Sequence, residues 1–434
     1  MKNLKVYQIF LLFILLFITL LIYIPMLDAG YCPTDDWAML RSYSGALKNI
    51  SFNYIINTFT HFHEGLYHPL VTLSYSLEIG LFGFIPAIFH FDNILLHLIN
   101  IWLVFLIFYK LSKKNYWIGF VVAFLFALHP TRVEVVAWIS ARKDLLYAPF
   151  YLLSILFYLK SYNKQFTFSP FHPLTLSVIF FLLSCFSKSM AITLPFILIL
   201  IDFYMNNFDK KNIKKYIPYF VISLIFIIIT FISHYGGNED VHATLFKTFV
   251  NFINAHFNIL FYLEKLILPI KLYCLYPYFY DMTKMLPWFI MYSPAVLYLL
   301  MFFVFLLLKK YKNKLIFFSF MFFLITIIPV SNIFPIGCFA VADRYTYIPY
   351  LGLFFLFAKF IVVLFEKYNK LVKTILVFFC IIIYTINCFL SYNRVIKWKT
   401  NNYGAPIKME YYKFGINKEY LLDSIGIKSK TLDK

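Results

Sequence analysis

Charge is the first thing this sequence is short of. Only 14% of its 434 residues are Asp, Glu, Lys or Arg, where an ordinary globular domain carries roughly a quarter. Hydrophobic residues make up 62% and aromatics 22%. A soluble fold cannot hide that much apolar surface, whereas a bilayer makes it the stable arrangement. The six cysteines form no CxxC and no Cys/His grouping at zinc spacing. Cys32, Cys274 and Cys338 all fall on the predicted outer side, so a disulfide is open but not deducible. No internal repeat is visible, and no small-residue cleavage site follows the first apolar run, so Met1 to Leu27 reads as a retained span rather than a cleaved leader. Acids are scarce, 20 against 39 Lys and Arg, for a formal charge of +19. In a soluble protein that balance suggests nucleic acid. Here the lysines sit between apolar runs, as in cytoplasmic loops, which argues against a nucleic-acid partner.

What is present is a long series of apolar runs. Windows of about twenty residues predict spans near 7–27, 87–109, 116–129, 145–160, 172–188, 190–206, 216–234, 287–308, 315–330, 350–366 and 372–391, about eleven in all. Lysines mark every second connection: Lys2 and Lys5; Lys110, Lys113 and Lys114; Lys160 and Lys164; Lys210, Lys211, Lys214 and Lys215; Lys309, Lys310, Lys312 and Lys314; Lys367, Lys370 and Lys373. By the positive-inside rule the N-terminus is inside and the C-terminal tail outside. The reading is an all-α polytopic membrane module over 1–391. It has a long first outer loop (28–86), a second outer loop (129–144) and a re-entrant or interfacial segment (235–286). A short polar tail (392–434) follows. Phe246 to Pro269 is apolar enough to span, but Asn251, Asn254, His256 and Asn258 inside it are costly in lipid.

The unusual chemistry collects in the outer connections. Asp35 and Asp36 follow Thr34 just beyond the first span. Thr34 capping a helix whose first turn holds both acids would explain them structurally; a catalytic carboxylate at the membrane surface explains them functionally. The second outer loop carries His129, Glu134, Arg142, Lys143 and Asp144. On one continuous helix Glu134 and Asp144 would lie about 15 Å apart, too far for a tight dyad. Interfacial ion pairs are the bland alternative. Lys188, in a tight outer turn, breaks the inside-positive pattern, either by snorkelling or by facing an anionic phosphate. Arg344 suits bidentate phosphate binding, and Tyr345 and Tyr347 suit sugar stacking or a headgroup belt; a local Asp343–Arg344 pair competes. His61, His63, Glu64 and His68 leave a divalent metal open, and no other cofactor is implied. His90 and His97 read as interhelical hydrogen-bond partners.

Taken in order, these blocks carry a resemblance. Asp35-Asp36 is followed by Tyr67-His68-Pro69-Leu70 and by Phe89-His90-Phe91-Asp92-Asn93-Ile94-Leu95-Leu96-His97. Next come His129-Pro130 with Glu134, Ala141-Arg142-Lys143-Asp144-Leu145-Leu146, Ser187-Lys188 with Ile192-Thr193-Leu194-Pro195, and Arg344-Tyr345 with Tyr347 and Pro349. The ordered set resembles the membrane portion of the transmembrane-and-TPR O-mannosyltransferases and their bacterial relatives in the GT-C glycosyltransferase class, over about residues 7–400. The resemblance implies a GT-C-like bundle with its site on the outer or luminal face. The donor would be a polyprenyl- or dolichyl-phosphate sugar, and the acceptor a protein, glycan or lipid. By position, Asp35 or Asp36 matches the base and Glu134 or Asp144 the second acid. Lys188 and Arg344 match phosphate contacts. The departure from the family is that the 392–434 tail holds no TPR repeats.

The expected reaction is single displacement with inversion, a carboxylate taking the acceptor proton and cations stabilising the leaving phosphate. A lipid-linked glycan transporter or flippase is the main rival, with an oligosaccharide polymerase or ligase next. The base bias and missing repeats point to a bacterial inner membrane, or to the endoplasmic reticulum for a eukaryotic chain.

Overall fold

The computed structural model describes residues 5–32, 36, 39–40, 51–62, 65–162, 171–235, 245–274, 276–277, 286–311, 313–331, 333 and 339–400. Asp35, His63, Glu64, Cys338 and the 401–434 tail lie outside the described residues, as does most of the helix expected near Trp37–Leu47. Cys32 is buried and Cys274 half-buried.

Helices dominate. They are α1 (Val6–Tyr23), α2 (Phe52–Thr60), α3 (Pro69–Phe82), α4 (Pro86–Leu111), α5 (Tyr116–Leu128), α6 (Arg132–Ala137), α7 (Arg142–Ser161) and α8 (Pro173–Ser187). The second half adds α9 (Leu194–Tyr204), α10 (Ile217–Tyr235), α11 (Leu245–Ile267), α12 (Trp288–Met291), α13 (Ser293–Tyr311), α14 (Lys314–Ile327), α15 (Tyr350–Lys367) and α16 (Lys370–Thr400). Their starts follow local chemistry. Proline opens α3, α4, α8 and, one residue in, α9, where its missing N–H costs nothing. Asn115 accepts from the Ile118 N–H at 3.2 Å to cap α5.

Each predicted span falls on a helix, and α3 coincides with the surface-lying helix expected near Pro69–Phe82. Among the described residues, the helical stretches Val6–Asp28, Pro86–Leu111, Ile213–Ser233, Trp288–Lys310 and Lys370–Thr400 are long and apolar enough to cross a membrane. Shorter apolar helices accompany them. The architecture is that of an all-α integral membrane protein. Most of 246–269 falls in α11 (Leu245–Ile267), which buries Asn251, Asn254, His256 and Asn258 against protein. There His256 meets the Tyr298 hydroxyl of α13 at 3.0 Å, and Asn258 donates to the Ser331 carbonyl at 3.0 Å.

The core lies between α4, α5, α7, α8, α14 and α15. The tightest approach is at Gly352. A Cβ there would stand 2.6 Å from the Ser319 carbonyl oxygen and 2.8 Å from Phe322 Cβ. Backbone cannot yield as a side-chain tip can, so Gly352→Ala should force α14 and α15 apart. The overpacking cost is about 1–3 kcal/mol, more than the helix propensity gained. Thermal melting in detergent checks it, with Gly30→Ala, whose Cβ would meet nothing within 4 Å, expected to melt like the parent.

Two features gather the segments that connect these helices. A two-residue strand, β1 (Tyr276–Pro277), pairs antiparallel with β2 (Phe339–Val341) and pins the chain just before Asp343. Helix α16 has 31 residues, about 46 Å by helical rise, against about 30 Å of hydrocarbon. Its last turns bring Arg394 onto the Pro130 carbonyl and Trp398 against Trp138, over the 129–144 connection.

Candidate functional site

The 129–144 connection is not one helix. Pro130 cannot donate, and the His129 carbonyl closes a turn on the Arg132 N–H at 2.9 Å, so α6 begins there. Trp138 is extended (φ −86°, ψ 119°) and stops α6 after six residues. A short 3-10 turn, Ile139–Ala141, leads into α7. The 15 Å separation expected for a continuous helix does not apply. The break at Trp138 brings Glu134 and Asp144 both within electrostatic reach of Arg344.

Two ion pairs define the cluster. Arg344 Nη1 meets Glu134 Oε1 at 2.5 Å, and the Arg344 backbone N–H donates to Glu134 Oε2 at 3.2 Å. Lys188 Nζ meets Asp144 Oδ1 at 2.5 Å. Both cations lie over the half-buried Tyr345 ring, Lys188 at 5.3 Å and Arg344 at 5.0 Å, and Arg344 also faces Trp138 at 4.9 Å. Burial pushes the Glu134 carboxyl up, with Arg344 pulling against it. Burial lowers Lys188, with Asp144 opposing. Burial also works against the Arg344 charge, but Tyr345, Glu134 and Asp144 outweigh it and hold the guanidinium protonated. Asp144 Oδ2 is buried without a hydrogen bond, which sets it apart from Glu134, both of whose oxygens are taken.

The remaining predicted residues sort by their contacts. Asp36 Oδ1 accepts from the Ser140 N–H (2.9 Å) and hydroxyl (2.5 Å), while Oδ2 accepts from the Cys32 N–H at 2.8 Å. It stitches the first outer loop to the second. Arg142 points away from the cluster: it pairs with Glu78 and donates to Asn93 Oδ1 at 2.6 Å and the Phe89 carbonyl at 2.8 Å. Lys143 is half-buried in the first turn of α7. His129 uses both ring nitrogens, on Thr131 Oγ1 (2.9 Å) and the Leu266 carbonyl (3.2 Å). Tyr347 bonds His97 at 2.8 Å and Asn100 at 3.2 Å, and His90 reaches the Gly30 carbonyl at 3.3 Å, so both histidines do act between elements. The local Asp343–Arg344 pair is replaced by longer-range partners. Asp343 takes Arg394 at 2.6 Å and the Tyr276 hydroxyl at 3.2 Å. No group of three or more His, Cys, Asp or Glu placed to hold a metal occurs among the described residues.

Three charged residues here escaped the sequence reading. Arg394 bonds the Pro130 and Tyr273 carbonyls at 2.9 and 3.1 Å as well as Asp343, clamping three outer segments. Its signal was a cation on the outer side, the same anomaly that exposed Lys188. Arg132, inside the His129–Glu134 block, is fully buried among the faces of Phe126, Tyr347, Tyr350 and Phe354 at 5.3–5.8 Å. These rings offset part of the desolvation of its charge. Glu78 was an acid on an otherwise apolar outer helix. Burial lifts its carboxyl to about 7, Arg142 pulling against.

Glu78 supplies a pH test. Its folded value lies above the ordinary 4.5, so its contribution to stability is fully present below pH 4.5 and is lost as pH rises towards about 7. Glu78→Gln removes that titration. The melting temperature of the parent minus that of the variant should fall between pH 4.5 and 7 and then level off; a flat difference would contradict it.

No family model matches the chain. Individual proteins do. The human protein O-mannosyl-transferase TMTC1 is 38% identical over 125 residues, 29% of this chain and 14% of that protein. Tmtc1 of Drosophila melanogaster is 30% identical over 182 residues, 40% of this chain and 20% of the fly protein. A Caenorhabditis elegans protein O-mannosyl-transferase is 26% identical over 353 residues, 77% of this chain and 47% of its own. The matches thus span a small part of the human and fly proteins and about half of the worm protein. By these similarities the chain is a sequence relative of the TMTC protein O-mannosyl-transferases.

Proposed function

We propose that this protein is a membrane glycosyltransferase that moves a sugar, a mannose in the nearest reading, from a polyprenyl-phosphate carrier to an acceptor hydroxyl. The observation that carries the reading is the paired cluster Glu134–Arg344 and Asp144–Lys188 around Tyr345. Breaking a sugar–phosphate bond leaves negative charge on the phosphate, and fixed cations at that point lower the barrier. Lys188 and Arg344 fill that role, Tyr345 and Trp138 offer ring faces for the sugar, and the lipid tail enters sideways between helices. A carboxylate takes the acceptor proton in a single inverting displacement. Asp35 is the leading candidate, since its neighbour Asp36 has both oxygens engaged. The names of the relatives favour a protein acceptor, and the outer or luminal face is the place for the reaction.

The test is donor consumption by purified protein in detergent, offered a panel of radiolabelled polyprenyl-phosphate sugars. The parent should turn over one donor. Asp35→Asn should abolish turnover while keeping donor binding, and Asp36→Asn should lower melting temperature as well as rate. No turnover with any donor, or full activity in both variants, would move the transporter reading to the front.

A further inference from the structure

The far end of α4 carries a second cluster of charge. Lys110, Lys113 and Lys114 occupy the turn between α4 and α5, and Lys160 ends α7 beside them, close enough that Lys110 feels both Lys160 and Lys114. No carboxylate among the described residues forms an ion pair with any of these four lysines. The outer cluster is remote. Asn93, which donates to the carbonyl of Trp138 beside Arg344, is about 26 Å from Lys110 along the same helix.

The backbone of this turn is also uncommon. Lys113 and Lys114 have φ of +57° and +67°, a conformation L side chains adopt at a cost and glycine adopts freely. The turn is fixed by the Lys113 N–H to the Lys110 carbonyl at 3.0 Å and the Lys114 N–H to the Tyr109 carbonyl at 2.7 Å. Glycine would suit both positions better, so backbone geometry does not account for lysine. The positive-inside pattern asks for cations in this connection, and here three of them lie within five residues, like charges side by side. Trp117, 46% exposed, stands on the next turn as an interfacial aromatic. Lys160 lies over the Phe157 ring at 4.4 Å.

We propose that this turn, with Lys160, holds the phosphate headgroup of an anionic phospholipid. Lysines at the ends of the packed helices α4 and α7, and in the turn between α4 and α5, offer several cationic donors to a phosphodiester, and the neighbouring apolar helix surfaces accept its acyl chains. The site is separate from the outer cluster and does not depend on the glycosyltransferase reading.

The experiment titrates the purified full chain in neutral detergent with phosphatidylglycerol or phosphatidylcholine and counts bound lipid by native mass spectrometry. The parent should prefer phosphatidylglycerol. Lys113→Gly/Lys114→Gly/Lys160→Gln should weaken it about a hundredfold, at about fivefold per lysine, with the melting temperature held or raised because glycine fits the turn. Lys160→Gln alone, which leaves the turn intact, should weaken it about fivefold. Lys367→Gln/Lys370→Gln/Lys373→Gln should leave it unchanged. Undiminished binding by the first triple variant would overturn the proposal. So would equal losses in both triple variants, or displacement of the lipid by equimolar inorganic phosphate.

Discussion

Arg142→Met should cost about 3–5 kcal/mol, the loss usual when one partner of a buried ion pair is removed. Arg142 is 1% exposed, and its guanidinium serves Glu78, Asn93 Oδ1 and the Phe89 carbonyl at once, over the Tyr75 ring at 4.8 Å. Methionine fills much of the volume and supplies none of the donors. The cost has a pH dependence of known sign. Glu78 titrates near 7 in the folded protein, so at pH 5 it is protonated, no charge is stranded, and the penalty shrinks. At pH 8 it is full. The double variant Arg142→Met/Glu78→Leu removes both charges and should recover most of the loss, because well-packed apolar pairs match buried ion pairs in stability. Melting in detergent at both pH values gives the double-mutant cycle. Equal losses at pH 5 and pH 8 would contradict the account.

Arg344→Lys should lower donor turnover by about a hundredfold, the scale of losing one preorganised donor to a developing oxyanion. Lysine keeps the charge and can still reach Glu134, so the fold is expected to survive. It loses the planar fork, in which one nitrogen serves Glu134 and, on the proposed reading, another would serve the donor phosphate. Arg344 sits between the Trp138 and Tyr345 rings, 4.9 and 5.0 Å from their centres, a slot shaped for a flat group. The loss should fall on kcat more than on KM, since the charge that needs the second donor develops only as the bond breaks. A merely structural Arg344 would leave turnover within twofold while shifting the melting temperature.

Much of this arrangement was legible in the chain. Apolar runs and lysine placement located the helices, because length, hydropathy and charge asymmetry are local properties. The outer acids and cations stood out because charge is scarce. Their pairings were not legible. Glu134 meets Arg344 across 210 residues, Asp144 meets Lys188 across 44, and Arg142 meets Glu78 across 64. Such contacts depend on which helices pack together, which periodicity does not encode. The same limit explains why Arg142 and Lys188 looked alike in sequence. Both are outer cations next to apolar helices, yet one serves Glu78 and the other lies over Tyr345. The break at Trp138 was hidden as well, since nothing in Val135-Val136-Ala137-Trp138-Ile139 marks a helix end.

The Arg394 clamp sets an order of assembly. A polypeptide leaves the ribosome from its N-terminus, so Pro130 and Asp343 exist before the residue that ties them, 264 and 51 positions later. Until α16 is threaded, Asp343 has no guanidinium beside it, and the segment bearing Arg344 is held from one side only. A chain made only as far as α15 therefore has the helices around the core and still lacks the clamp on these segments. Helix α16 is the element that closes it, so the cluster is complete only once residue 394 has been made and packed.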